Sequence, residues 1–220
     1  MQQNQLPNTQ LLYIFDPLCG WCYGMSPVVK RLAEEYAERV PFTALSGGMV
    51  VGEDVEPIGK SWSYISQALE QVERVTGVEF GNAFRELGAE GSYMNNSEPP
   101  SRALMAFKQL DPLNREVAFA HDIQHAHFAE GRDLNAPETY EQLARAYSLD
   151  AAEFRRWWES DATREATRHE FDMVRQLGVQ GFPTLVLVHG HQGYVLTRGY
   201  QPYEDLKAGL EQLLGELTQQ

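Results

Sequence analysis

Cysteine is scarce in this 220-residue chain: there are only two, and both fall within the stretch DPLCGWCYG at positions 16–24. A scaffold held by several structural disulfides is therefore excluded. A zinc site built from four thiolates is excluded for the same reason. The chain is 43% hydrophobic and has ten Tyr, ten Phe and four Trp, which is enough apolar material to build a core without covalent crosslinks.

Basic residues are also in short supply, since 18 Lys and Arg stand against 31 Asp and Glu, giving a formal net charge of −13. This charge repels phosphate backbones and anionic lipid surfaces, so we predict neither a nucleic-acid partner nor a membrane partner. No hydrophobic run approaches the ~18 residues of a membrane span. The N-terminal segment MQQNQLPNTQ lacks the basic and apolar regions of a secretory signal. We therefore expect a cytoplasmic protein, provided that no signal has been removed before residue 1.

The first third of the chain has the pattern of a strand, a helix and a second strand. The apolar run LLYIF at 11–15 predicts a strand, and FTALS at 42–46 predicts another. Between them, apolar residues recur at helical spacing from about 19 to 40. Two strands joined by a helix with short connections form a βαβ unit, so the strands should be parallel.

The middle of the chain has a helical pattern, and strands return only near the end. Beyond residue 160 we predict a helix over 161–177, an antiparallel hairpin of strands 184–188 and 194–198, and a last helix over 203–217. Before it, six helices are predicted at 61–75, 80–88, 101–110, 114–129, 137–147 and 151–158. The predicted class is α/β, with one domain formed by 1–59 and 160–220 and an all-helical insertion at 60–159.

The two cysteines could in principle bind a metal or form an inert bridge. A structural zinc needs four ligands, and the pair supplies two. His121 and His125 have a suitable mutual spacing, but they lie far from the cysteines in sequence, so we predict no metal site. An inert disulfide would close a very small loop, which gains little chain entropy, and a cytoplasmic chain would be kept reduced.

Thiol–disulfide exchange fits the pair best. Cys19 follows a predicted strand and begins a helix, where free N–H groups and the helix dipole favour a thiolate. Cys19 is therefore the expected nucleophile. Cys22 lies one turn later, where its sulfur could attack a mixed disulfide and release the reduced partner.

Two longer segments resemble the thioredoxin superfamily. CGWCYGMSPVVKRLAEEY at 19–36 is similar to the active-site helix of that superfamily, including Pro27 inside the helix. GVQGFPTLVL at 178–187 is similar to the loop that carries its cis-proline. The resemblance implies a thioredoxin fold in which Phe182 and Pro183 face the cysteines and bind a substrate backbone.

The helical insertion and four segments resemble the DsbA-like branch of the superfamily, in particular its cytosolic FrnE-type proteins; the segments are DPLCGWCYG, NSEPPSRAL, FAEGRDL and GFPTLVL. That branch includes 2-hydroxychromene-2-carboxylate isomerases and kappa-class glutathione transferases. These relatives typically have serine where this chain has Cys19, so the presence of both cysteines favours disulfide exchange. The dipeptide between the cysteines is Gly-Trp and not the Pro-His of DsbA, so a strongly oxidising potential is not implied.

The function that this resemblance implies is that of a thiol–disulfide oxidoreductase acting on a protein or small-molecule thiol or disulfide. Cys19 and Cys22 are the expected catalytic residues, and Trp21, Phe182 and Pro183 the expected substrate-binding residues. No metal or organic cofactor is required, although glutathione is a candidate electron partner. Two alternatives stay open: a glutathione-dependent isomerase or transferase of the kappa-class type, and a non-catalytic module that binds client proteins. The patterns favour no particular oligomeric state.

Several other polar residues have two interpretations each. Asp16 either acts on the nearby thiols or simply ends the strand before the helix. Ser97 is expected to cap the helix that begins near Pro99, and Arg102 is a candidate for contacting a glutathione carboxylate. Five histidines are expected to be solvated or to cap helix ends: His121, His125, His127, His189 and His191.

Overall fold

The computed structural model describes residues 8–219, so most of the polar N-terminal segment on which the localisation prediction rests lies outside it. In chain order its elements are β1 (Thr9–Phe15), α1 (Gly20–Tyr36), β2 (Phe42–Ser46), β3 (Glu56–Pro57), α2 (Trp62–Thr76), α3 (Asn82–Glu90), β4 (Met94–Asn95), α4 (Glu98–Leu110), α5 (Glu116–Phe128), α6 (Pro137–Ala146), α7 (Ala151–Glu159), α8 (Asp161–Gln176), β5 (Thr184–His189), β6 (Gln192–Arg198) and α9 (Tyr203–Leu217). In this part of the chain no helix is both long and apolar enough to cross a lipid bilayer.

A four-stranded mixed sheet in the order β2-β1-β5-β6 forms the centre of the fold. β1 runs parallel to β2, with Leu11 opposite Phe42, and antiparallel to β5, with Tyr13 opposite Leu185. β5 and β6 form an antiparallel hairpin whose turn contains Gly190 at φ 59°, a backbone conformation that glycine adopts without strain. The βαβ unit and the hairpin predicted from the sequence are both confirmed.

Helices cover the two faces of the sheet. On one face, α1 and α9 pack against β1 in the main core, to which Leu11, Val29 and Leu206 all belong. On the other face, Val174 of α8 packs on Ile14 and Leu45. Because β1 is buried from both sides, its sequence is almost continuously apolar.

The helices between β2 and α8 extend the same core and add a second one. α4 and α5 contribute residues such as Phe107 and Ile123 to the main core. A separate aromatic cluster joins α2, α3 and α5 to the first turn of α1 through contacts among Tyr23, Phe80 and Phe128. The division of the chain into a 1–59 plus 160–220 domain and a 60–159 insertion stays a prediction.

The predicted helices of the middle segment are present, with ends that differ by at most three residues. α4 begins at Glu98 and not at 101, because Pro99 and Pro100 fit in the first helical turn, where no N–H donor is needed. The segment is not entirely helical, since β4 pairs with β3 in a two-residue ladder. Strands this short have no periodicity that a sequence pattern could reveal.

Candidate active site

Cys19 lies at the N-terminal end of α1, directly after the turn that follows β1. Its N–H donates to the Asp16 carbonyl at 3.1 Å. Its backbone is extended, with φ −85° and ψ 114°, and its sulfur accepts the Cys22 N–H at 3.4 Å. Cys19 is thus the N-cap residue of α1, and its sulfur lies where helix N–H groups and the helix dipole favour negative charge.

The two sulfurs, both free thiols, differ in their exposure to solvent. Cys19 is 8% exposed and Cys22 is completely buried. Burial raises the pKa of the Cys22 thiol well above its usual value, and hydrogen bonding to Cys19 raises this pKa further. Cys22 therefore keeps its proton at neutral pH, and Cys19 is the sulfur that a substrate can reach.

The Phe182-Pro183 loop lies opposite Cys19. The Cys19 thiol contacts the Phe182 carbonyl oxygen at 3.7 Å, and the Phe182-Pro183 peptide bond is cis, as the resemblance implies. Pro183 is buried just before β5. Trp21 is half-buried, and its ring packs on both the main core and the aromatic cluster. The fold therefore brings together the residues expected to form the site.

Asp16 is completely buried beside this site. Its carboxylate accepts the Leu18 N–H at 2.9 Å, the Met49 N–H at 2.7 Å and the Ser97 hydroxyl at 2.9 Å. Burial raises the pKa of Asp16, and these hydrogen bonds oppose the rise. The negative charge of Asp16 also helps to raise the pKa of Cys22. Asp16 thus does more than end β1, because it joins the loop after β2 and the start of α4 to the turn before Cys19.

The expected capping role of Ser97 is wrong. The Ser97 side chain makes no capping hydrogen bond to α4. Its hydroxyl donates to Asp16 and accepts the Val50 N–H at 3.1 Å. Asn96 serves the start of the helix instead, because its side-chain oxygen accepts the Glu98 N–H at 3.0 Å. Asn and Ser are both good caps, and only the buried position of Asp16 decides between them.

The contacts of Arg102 do not support its candidate role toward glutathione. Its guanidinium donates twice to the Trp158 carbonyl, at 3.1 and 2.7 Å, and lies over the Trp158 ring at 4.5 Å. These contacts hold α4 to α7 and use two of the five N–H donors of the guanidinium.

Three of the five histidines depart from the expectation of solvated or capping roles, because His121 and His189 bond to Ser26 and Thr9 and His127 is buried. His127 is 1% exposed, its Nδ1 donates to the Arg132 carbonyl at 3.2 Å, and burial lowers its pKa to about 4. It is therefore a neutral core residue. His125 is exposed and contacts Glu130, as expected for a solvated side chain.

His121 bonds to the side chain that compensates for Pro27 inside α1. Pro27 has no N–H, so the Tyr23 carbonyl loses its usual helical donor. The Ser26 hydroxyl replaces it at 2.9 Å and also lies 2.7 Å from the His121 Nδ1. Because its single proton goes to Tyr23, the Ser26 hydroxyl must accept from His121, and Nδ1 must carry the proton.

Two buried side chains next to the cysteines were not predicted from the sequence. The Tyr13 hydroxyl donates to the Cys22 carbonyl at 3.4 Å, and the Gln124 amide donates to the Asp16 carbonyl at 3.2 Å. Tyr13 is on a strand and Gln124 on a helix far along the chain, so only tertiary contacts identify them. Within residues 8–219, no group of three or more His, Cys, Asp or Glu side chains is arranged to hold a metal ion.

Comparison with known protein families identifies the family of this chain. The model of the DSBA-like thioredoxin domain matches residues 10–211, nearly the whole chain. This chain belongs to the DSBA-like thioredoxin-domain family. The resemblance to DsbA-like proteins and the predicted thioredoxin fold with a helical insertion are thereby confirmed.

Three individual relatives are a disulfide reductase, an isomerase and an adapter protein. Cytosolic disulfide reductase DsbM from Pseudomonas aeruginosa is 27% identical, with a TM-score of 0.77 over 93% of this chain and 98% of DsbM, and DsbM has also been solved with GSH. 2-hydroxychromene-2-carboxylate isomerase shares the fold alone, at 17% identity and a TM-score of 0.62 over 94% of this chain and 95% of that protein. The ClpXP adapter protein SpxH from Bacillus subtilis (strain 168) is 22% identical over 93% of this chain and 68% of its own length. The family match, together with the similarity to a disulfide reductase, indicates a redox enzyme.

Proposed function

We propose that this protein is a thiol–disulfide oxidoreductase in which Cys19 is the nucleophile and Cys22 the resolving thiol. The observation that carries the proposal is the asymmetry of the two sulfurs. Cys19 keeps 8% exposure at the helix N-terminus, whereas Cys22 is completely buried and its pKa is raised. A pair that reacts in two ordered steps requires this asymmetry, because only one sulfur should attack the incoming disulfide.

In the reductive direction, the Cys19 thiolate attacks one sulfur of a substrate disulfide. The substrate S–S bond breaks, one substrate sulfur leaves as a thiolate that takes up a proton, and a mixed disulfide with Cys19 forms. Cys22 then loses its proton and attacks the Cys19 sulfur, which releases the second substrate thiol. The substrate gains two electrons and two protons, and the protein is left with a Cys19–Cys22 disulfide. The same steps in reverse oxidise a substrate dithiol.

The Phe182-Pro183 segment is the proposed docking site for the substrate backbone. Its support is the position of the Phe182 carbonyl, 3.7 Å from the attacking sulfur. A peptide that binds along this segment would place its disulfide beside Cys19. Trp21, half-buried between the two cysteines, would contact the same substrate through its ring.

Glutathione is the proposed electron partner, and the substrate is a protein or small-molecule thiol or disulfide. The relative that supports this is DsbM, which is named a cytosolic disulfide reductase and has been solved with GSH. The steps above need no metal and no organic prosthetic group. A cytoplasmic location would supply reduced glutathione to the Cys19–Cys22 pair.

Separate serine variants of the two cysteines test the assignment of roles. Cys19→Ser should lose turnover of a peptide disulfide and form no mixed disulfide. Cys22→Ser should also lose turnover but should accumulate a mixed disulfide at Cys19, which intact-mass spectrometry detects. Full two-electron turnover by Cys22→Ser would contradict the assigned roles.

A client-binding module is the second candidate, and the similarity to the ClpXP adapter protein SpxH is the observation that favours it. In that case binding of a client protein would be the same in the wild type, Cys19→Ser and Cys22→Ser. A glutathione-dependent isomerase or transferase would instead bind glutathione saturably and would keep its activity in Cys22→Ser. The two serine variants therefore separate all three functions.

A further inference from the structure

Gly47, directly after β2, has no room for a side chain. It is buried, and its N–H donates to the Phe15 carbonyl at 2.8 Å. A Cβ atom added at Gly47 would lie 2.0 Å from Cζ, 2.3 Å from Cε1 and 2.9 Å from Cε2 of the Phe182 ring. The edge of the Phe182 ring thus occupies the space that a side chain at position 47 would fill.

Space, and not backbone conformation, is the reason for glycine at this position. Gly47 does not have a positive φ, so its backbone would accept alanine. The neighbouring Gly48 differs, because it has φ 65° and a Cβ there would also meet the Phe171 ring. The three atoms nearest to an alanine Cβ at position 47 would all belong to the Phe182 ring.

That contact lies within the candidate active site. The half-buried Phe182 side chain packs against the main core on one face of the sheet and against the cluster that contains Val174 on the other. The carbonyl of the same residue faces the Cys19 sulfur, and Pro183 follows. We therefore expect a shift of the ring to be passed to the backbone opposite Cys19. The loop of Gly47 also supplies the Met49 N–H to Asp16, so it contacts both sides of the site.

We infer that Gly47 is a positioning residue whose missing side chain seats the Phe182 ring and thereby fixes the Phe182-Pro183 backbone opposite Cys19. The inference rests on the proposed function, since the backbone it positions is the proposed docking segment. Gly47 itself does not touch the substrate and acts only through Phe182.

The test is Gly47→Ala, assayed with two substrates. A peptide disulfide should need the docking segment, whereas a small aromatic disulfide such as Ellman's reagent needs little beyond Cys19. Because misplacement by about 1 Å can cost a hundredfold in rate, kcat/KM for the peptide should fall roughly tenfold to a hundredfold. The rate with Ellman's reagent should fall much less. A loss of folded protein would lower both rates by the same factor, and equal losses would overturn the inference.

Gly181→Ala is the matched control, because Gly181 precedes Phe182 in the same loop and a Cβ there meets no atom within 4 Å. Its kcat/KM for the peptide should stay within about twofold of the wild type, as for an open surface site. An equal loss in Gly181→Ala would show that the loop tolerates no alanine, and the specific role of Gly47 would then be wrong.

Removal of the Phe182 ring provides the decisive comparison. Phe182→Ala alone should lower kcat/KM for the peptide, since the ring anchors the docking segment. Adding Gly47→Ala to Phe182→Ala should have almost no further effect, because the clash is gone. If Gly47→Ala alone does not fold, the double variant should fold and match Phe182→Ala. A double variant that is again tenfold slower than Phe182→Ala, or that does not fold, would overturn the inference.

A structural measurement separates this inference from the proposed function. A wild type that turns over no peptide disulfide would contradict the proposed function only. Crystal structures of the wild type and Gly47→Ala would still show whether the Phe182 ring and carbonyl move. An unmoved Phe182 in Gly47→Ala would contradict the positioning role whatever the activity is.

Discussion

The amino end of α1 is surrounded by buried polar groups, whereas its carboxyl end is surrounded by exposed ion pairs. At the amino end, Asp16 is completely buried, and its described hydrogen-bond partners are two backbone N–H groups and the Ser97 hydroxyl, none of them a cation. Cys22 is equally buried. Groups of this kind are held only by their hydrogen bonds, and a lost partner leaves a buried donor or acceptor unsatisfied.

At the carboxyl end, charged side chains pair in contact with solvent. Arg39 donates to both oxygens of Glu211, at 2.7 and 3.2 Å, and Tyr36 donates to the same carboxylate at 2.5 Å. Lys207 pairs with Glu35 at 2.5 Å in the same region. Exposed ion pairs contribute little to the free energy of unfolding, because water solvates the charge that is left when one partner is removed. Substitutions at the two ends of α1 should therefore differ greatly in how much they lower the free energy of unfolding.

Asp16→Ala should have the largest effect on stability. It removes the acceptor of three donors, namely the Leu18 N–H, the Met49 N–H and the Ser97 hydroxyl. Each buried donor that is left without an acceptor costs about 1–3 kcal/mol. The free energy of unfolding, measured by urea denaturation, should fall by about 3 kcal/mol or more. The exposed Asp54 offers a control, and Asp54→Ala should stay within about 0.5 kcal/mol of the wild type. A loss below about 1 kcal/mol for Asp16→Ala would remove the distinction between the two ends.

The buried Asp16 should also make the stability of the protein depend on pH. Burial raises the pKa of Asp16 above its ordinary 3.8, so the folded state holds this proton more tightly than the unfolded chain does. The resulting stabilisation is complete below pH 3.8 and is lost as the pH rises through the folded-state pKa. The unfolding free energy of the wild type minus that of Asp16→Asn should therefore decrease from about pH 4 upward, by about 1.4 kcal/mol for each unit of pKa shift. A difference that stays constant or grows with pH in a series of denaturant titrations would contradict this sign.

Ser26→Ala should have a smaller but measurable effect at the amino end. It removes the donor to the Tyr23 carbonyl and the acceptor of the His121 Nδ1–H, in a residue that is 1% exposed. We expect a loss of about 1–2 kcal/mol in the free energy of unfolding. Ser66→Ala is the matched control, because the Ser66 hydroxyl bonds only to a nearby carbonyl in an exposed position. Equal effects of the two substitutions would mean that the helix around Pro27 needs no support from Ser26.

Arg39→Gln should have the smallest effect. Its ion pair with Glu211 is about 40% exposed on both sides, so its loss should cost less than about 1 kcal/mol, and high salt should reduce the cost further. Chemical denaturation by urea at low and at high salt measures both quantities. A cost above about 2 kcal/mol, unchanged by salt, would show that this exposed pair stabilises the fold as much as a buried polar group does. The predicted difference between the two ends of α1 would then be wrong.

Local patterns predict most of the fold, because the physical causes of its elements are local. β2 is found at the predicted residues 42–46, since the run FTALS, which begins with the strand formers Phe and Thr, is flanked by Pro41 and Gly47. The short strand β4 was missed because two residues carry no periodicity. The resemblance of the segments around Cys19 and Pro183 predicts which loops face each other.

The remainder of the site depends on tertiary contacts between distant residues. Ser97 looks like a helix cap in sequence, and its actual partner, Asp16, lies 81 positions away. Gln124 and Tyr13 lie in elements whose local pattern explains only their packing. The contact between Gly47 and Phe182 cannot be read from either segment, because a glycine after a strand normally indicates a turn.

The reduction potential of the Cys19–Cys22 pair, measured in glutathione redox buffers, is the measurement that bears most closely on thiol–disulfide exchange by this pair. We expect one reversible two-electron couple. A value near about −270 mV would indicate a thioredoxin-like reductant, and one of about −180 to −120 mV an isomerase or oxidant. If the pair forms no reversible disulfide at any buffer potential, the redox function is contradicted, and glutathione binding or client binding would have to explain the site.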